Sequence, residues 1–182
     1  MTTALENNTV LDGGFLPDDL SLYIGKKTLA KLILEEIEDL DALAPGDEES
    51  RSWNQNFRPA MMLTLLAYCY ATGVYGSADI QLATQHDQMI RYLCAGDYPD
   101  LCLIRSFRRY NHERITRCLS GVLRRVWELR FCGEDAVPIS RVSGSGSAPV
   151  RWTGVRAALD FRQEAEQRIV RAVRADSMAM DV

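Results

Sequence analysis

Apolar residues recur at helical intervals through most of the chain. Leu29, Leu32, Ile33, Ile37 and Leu40 share one face, and Lys31, Glu35, Glu38 and Asp39 occupy the other. This pattern predicts an amphipathic helix with a solvated acidic side, following the lead-in Phe15-Leu16-Pro17-Asp18-Asp19. Residues 44–50 have connecting-loop composition. Arg58-Pro59 then opens a second helix, since proline's fixed φ suits a first helical turn. Met61, Met62, Leu65, Leu66, Tyr68 and Cys69 make that helix apolar nearly all round, so it is expected at the centre. Ser77 is expected to cap a third helix carrying Ile80, Leu82 and Ala83. A short fourth helix through Met89, Ile90, Tyr92 and Leu93 stops at Ala95-Gly96.

Asp97-Tyr98-Pro99-Asp100 reads as a turn whose last residue caps the next helix. The periodicity from Leu101 to Arg130 predicts one long helix, with Ile104, Phe107, Ile115, Cys118, Val122, Val126 and Leu129 in a single stripe. Arg105, Arg108, Arg109 and His112 lie beside that stripe at i, i+3, i+4 and i+7, and Arg117 and Arg124 line another side. Residues 133–153, with their Ser143-Gly144-Ser145-Gly146-Ser147 run, have linker composition. A last amphipathic helix over 154–176 places Ala158, Phe161, Ala165, Ile169 and Val173 on one side and Arg162, Glu166, Arg168 and Arg174 elsewhere. It is expected either to dock or to await a partner.

These elements predict an all-α fold: a helical bundle with a helix-turn-helix-like core at 15–132, a disordered tail at 1–14, a flexible linker at 133–153 and a tethered C-terminal helix within 154–182. A chain of 182 residues with 47% hydrophobic and 25% charged positions suits about one domain. The net charge of −4 conceals a strong asymmetry. Residues 1–50 carry three Lys against twelve Asp and Glu, whereas residues 103–130 carry eight Arg against two Glu. Every basic residue beyond Lys31 is Arg, the side chain best shaped to fork onto phosphate or guanine edges. The acidic N-terminal region is placed to shield the basic helix within the same chain.

The five cysteines form no Cys-x-x-Cys pair, and His86 and His112 are the only imidazoles, so no zinc site is readable. Reduced, mostly buried thiols in a cytoplasmic protein are expected. The start lacks a signal pattern, and no run of ~18 apolar residues predicts a membrane span. Neither histidine sits in a readable nucleophile arrangement; His86 beside Asp87 reads as a surface helix end. The tyrosines at 68, 70, 75, 92, 98 and 110 are read as core rather than as base-stacking groups.

The stretch from Phe57 to Asn111 resembles the N-terminal helical domain of bacterial insertion-sequence transposases, which precedes a DDE catalytic domain. The resemblance rests on Phe57-Arg58-Pro59, Leu65-Leu66-Ala67-Tyr68-Cys69-Tyr70, Gly73-Val74, Ser77 with Ile80, Ile90-Arg91-Tyr92-Leu93, Ala95-Gly96, Pro99-Asp100 and Ile104-Arg105-Ser106-Phe107-Arg108-Arg109-Tyr110-Asn111. Phe15-Leu16-Pro17-Asp18-Asp19-Leu20 looks like the family's lead-in. Gly76-Ser77-Ala78 and Gln81 depart from it, standing where the family usually has Ser-Ser-Arg followed by a Glu. No Asp-Gly-Thr supplies a first catalytic aspartate. Strand transfer needs three carboxylates around two metals roughly 3.5–4 Å apart. The resemblance therefore implies a transposase chain cut before its catalytic acids, with no cofactor and no catalysis of its own.

Together these features predict recognition of double-stranded DNA at transposon ends. Arg105, Arg108, Arg109 and His112 would approach the groove or its phosphates, Asn111 would read a base edge, and Arg117, Arg124 and Arg125 would hold the backbone. Such a protein would associate with the nucleoid. The competing expectation is an interaction protein that pairs with an intact transposase, or with itself, through residues 154–173.

Overall fold

The computed structural model describes residues 16–43, 58–131 and 160–179. The predicted tail, the 44–50 loop, the linker, Phe57 and Cys132 lie outside them. The described chain is all-α and holds eight helices: α1 (Ser21–Ile24), α2 (Lys26–Leu43), α3 (Pro59–Ala71), α4 (Ser77–His86), α5 (Gln88–Leu93), α6 (Leu101–Tyr110), α7 (His112–Phe131) and α8 (Phe161–Met178).

Helix α3 is the axis of the core. Pro59 occupies its first turn, and every residue from Met62 to Ala71 is buried. A helix that is apolar all round must be covered all round, and α2, α5, α7 and α8 pack against it. Each large side chain so buried contributes roughly 1.5–3 kcal/mol. Leu29, Ile33 and Ile37 of α2 and Ile115, Cys118, Val122 and Val126 of α7 complete the core. Leu129 falls on the α7 stripe yet is exposed, because the stripe outruns its partners.

Helices α2 and α7 run antiparallel. Asp41 pairs with Arg114 near one end, while Glu35, Glu36 and Asp39 converge on Arg125 further along. Between these pairs Gly121 faces Glu36 so closely that a methyl group on residue 121 would fall inside its carboxylate. Burial pushes the Glu36 carboxyl above its ordinary range, against the pull of Arg125.

The long helix predicted from 101 to 130 is two helices. Asn111 divides them: it is buried, and its backbone N–H and side-chain amide both donate to the Phe107 carbonyl, at 2.9 and 3.1 Å. Its φ of −115° and ψ of 24° take the chain out of helical geometry for one residue. The apolar stripe continues across the break, which is why periodicity alone reads through it.

The C-terminal helix is docked in the domain. Its buried face is Glu164, Ala165, Arg168, Ile169, Ala172 and Asp176, the last five at i, i+3, i+4, i+7 and i+11. The predicted stripe stepped by four residues and drifted off this face, so Val173 is exposed and Arg168 is fully buried. Asp160 starts the helix by accepting from the Arg162 and Gln163 N–H groups. Residues 154–159 lie outside the described residues.

Arg168 takes the place of an apolar knob. Its Nε donates to Glu164 Oε1 at 2.9 Å, and its terminal nitrogens donate to the carbonyls of Pro17, Asp18 and Tyr70 at 2.6, 2.9 and 2.8 Å. The Tyr70 carbonyl lies in the last turn of α3, where helical carbonyls lack a partner within the helix. One guanidinium thus holds the N-terminal strap, the end of α3 and α8 together.

Candidate nucleic-acid interface

The stretch expected to form a helix-turn-helix is α5, the turn at 94–100 and α6, and in the structure both helices pack against α4. Ala95 and Gly96 adopt φ of 53° and 84°, ending α5. Asp100 caps α6 through the Leu103 N–H at 2.8 Å. Gln81, one of the departures from the transposase pattern, reaches from α4 to accept the Leu101 N–H at 3.0 Å. An amide oxygen therefore holds α4 against the start of α6. With two of its first donors satisfied internally and the Asp100 carboxylate beside them, the N-terminus of α6 is a poor phosphate site.

At about 100° per residue, Cys102, Arg105, Ser106, Arg109 and Tyr110 occupy the outward arc of α6, and all but the half-buried Arg105 are exposed. Leu103, Ile104, Phe107 and Arg108 point inward. Arg108 and Asn111 are thus misplaced by the sequence reading. Arg108 is buried, donates to the Tyr70 hydroxyl at 3.2 Å and forms an ion pair with Asp176. Asn111 holds the α6–α7 break and offers no edge to a base.

Asp176 is a hub that the sequence did not single out. Its carboxylate accepts from the Ser77 N–H and the Ser77 hydroxyl, each at 2.7 Å, and pairs with Arg108 and with Arg105 Nε, the latter at 3.3 Å. Contrary to expectation, Ser77 does not cap α4: it is the first helical residue, and Asp176 of α8 accepts its N–H instead. Burial alone would raise the Asp176 carboxyl, but the Ser77 and Arg108 hydrogen bonds and the Arg108 charge outweigh it and hold it below the usual carboxylate range.

The remaining predicted site residues separate further. Arg125 is committed to Glu35, Glu36 and Asp39 of α2. It neutralises the acidic helix and does not face outward as a backbone contact. Arg117 is exposed and pairs with Glu113 at 3.0 Å, which Arg162 of α8 also engages at 2.7 Å. Those two guanidinium groups, chiefly through their hydrogen bonds, draw the Glu113 carboxyl down to about 2. Arg124 is exposed and contributes to the field at Glu36. Arg109 and His112 are exposed, and neither side chain has an ion-pair or hydrogen-bond partner among the described residues.

Three tyrosines read as core are solvent-exposed: Tyr92, Tyr98 and Tyr110. Tyr68 and Tyr70 are buried as expected. Cys69, Cys94 and Cys118 are buried and Cys102 is exposed. Among the described residues no three His, Cys, Asp or Glu side chains are grouped to hold a metal ion. No described helix is long and apolar enough to cross a membrane.

Compared with protein-family models, curated proteins and solved structures, the chain matches none in any of the three sets. The functional reading therefore rests on the site itself and on the resemblance of residues 57–111.

Proposed function

We propose that this chain is a DNA-contacting helical domain of the kind that recognises insertion-sequence ends. The observation that carries the reading is the exposed pair Arg109 and His112 at the α6–α7 corner, whose side chains meet no ion-pair or hydrogen-bond partner among the described residues, with exposed Arg117 one turn into α7. The contact is smaller than the eight residues read from sequence, because Arg108, Asn111 and Arg125 serve the fold. Affinity should accordingly fall at the weak end for phosphate-dominated binding, with Kd on the order of 10⁻⁴ to 10⁻⁵ M at moderate salt.

The competing reading, pairing through residues 154–173, loses most of its surface. Ala165 and Ile169 are fully covered within the chain and Phe161 is half-buried. The test is a low-salt anisotropy titration with a labelled DNA duplex carrying a single-stranded overhang. Saturable binding that weakens in Arg109→Gln supports the proposal. No change in anisotropy up to ~1 mM protein, about tenfold above the weakest expected Kd, rejects it.

A further inference from the structure

The two ends of α6 present opposite chemistry. At the start, exposed Asp97 and Asp100 precede the small outward residue Cys102, and the Leu101 and Leu103 N–H groups already donate to Gln81 and Asp100. At the far end stand Arg109, Tyr110 and His112, all exposed. The acids that border this corner are already held by arginines: Asp176 by Arg105 and Arg108, and Glu113 by Arg117 and Arg162. The corner therefore has a cation surplus where the start of the helix has an anion surplus.

This arrangement suits major-groove insertion poorly. A recognition helix enters the groove with its N-terminal residues at the base edges, and here those residues are short and border two carboxylates that repel phosphate. The corner offers a different fit. Tyr110 is 74% exposed on the same arc as Arg109, and the turn at Asn111 puts His112 immediately beyond it. An aromatic face flanked by phosphate-binding cations is the arrangement that takes a splayed-out base together with its backbone. Base–aromatic stacking tolerates any sequence.

Resting on the DNA-contacting reading above, we infer that the α6–α7 corner binds unpaired nucleotides, with a base stacked on Tyr110 and the adjoining phosphates held by Arg109 and His112. Intact duplex lacks the free base face and gains only the phosphate contacts. A stacked base contributes about 1–3 kcal/mol, so single strand should bind roughly 5- to 150-fold more tightly than duplex of the same length.

The experiment titrates full-length protein against labelled oligothymidylate and against the same strand annealed to its complement, at low salt. Tyr110→Ser, Tyr110→Phe, Arg109→Gln and, as a control elsewhere on the surface, Tyr92→Ser are compared. Expected are tighter binding of the single strand, loss of that preference in Tyr110→Ser, retention in Tyr110→Phe and Tyr92→Ser, and weakening of both ligands in Arg109→Gln. Equal or tighter duplex binding that ignores Tyr110 overturns the inference and leaves the DNA-contacting reading standing. Absence of binding to either ligand overturns both.

Discussion

Arg108 and Arg109 are adjacent in sequence and opposite in circumstance. Arg108 points into the junction of α4, α6 and α8, where Asp176 and the Tyr70 hydroxyl hold it. Arg109 points out at the α6–α7 corner with no described acid to meet. The junction uses guanidinium groups as internal fasteners, and the corner leaves Arg109 exposed without a partner among the described residues. The difference arises from one step of 100° around a helix and from where α8 happens to lie. Counting arginines on a helix thus measures its charge but not its availability.

The largest expected effect lies on the junction side. Replacing Arg168 by Met removes a buried cation and leaves Glu164 and the carbonyls of Pro17, Asp18 and Tyr70 without their donor. A loss of about 3–5 kcal/mol is expected in urea unfolding. A change below ~1 kcal/mol would mean that Arg168 does not fasten α8 to the domain. Gly121→Ala comes next. It displaces Glu36 from the α2–α7 contact and should cost about 1–2 kcal/mol net, after the ~1 kcal/mol that alanine gains in helix propensity. Removing the carboxylate as well, in Gly121→Ala with Glu36→Ala, should recover part of the loss, and strict additivity of the two changes would refute the steric explanation.

The junction should also respond to acid. Asp176 has its carboxyl lowered in the folded state, so its contribution is fully present above the unfolded value near ~3.9 and is lost as pH falls through the lower folded value. Stability should therefore drop below about pH 4, and that part of the drop should vanish in Asp176→Asn. Unchanged acid sensitivity in that variant would remove Asp176 from the account. Smallest of all is the corner: Arg109→Gln should alter unfolding free energy by less than ~0.5 kcal/mol while weakening oligothymidylate binding, which separates exposure from structural use.

Helix existence was legible because the apolar spacing is regular in α2 and along the α6–α7 stripe, while α3 was marked by Pro59 and an apolar run on all sides. The break at Asn111 was not, since a single capping residue leaves the stripe intact. The buried face of α8 was hidden for a related reason. Three of its members, Glu164, Arg168 and Asp176, are charged, and a search for apolar steps passes over them to Val173. Gly121 did carry a signal, because a glycine inside a long helix is disfavoured unless a close approach requires it. The candidate site was half legible. Local excess of arginine located the region, but whether each side chain faces Asp176, α2 or solvent depends on tertiary contacts that span most of the chain.

The division between fastening and ligand-facing cations has a direct readout in the salt dependence of oligothymidylate affinity. For single strands the log–log slope is about 0.7 per phosphate neutralised. With Arg109, His112 and at most one neighbour available, it should be roughly 1.5–2. A slope of about 4 or more would mean about six neutralised phosphates, well beyond the cations at the α6–α7 corner, and would contradict a contact confined to that corner.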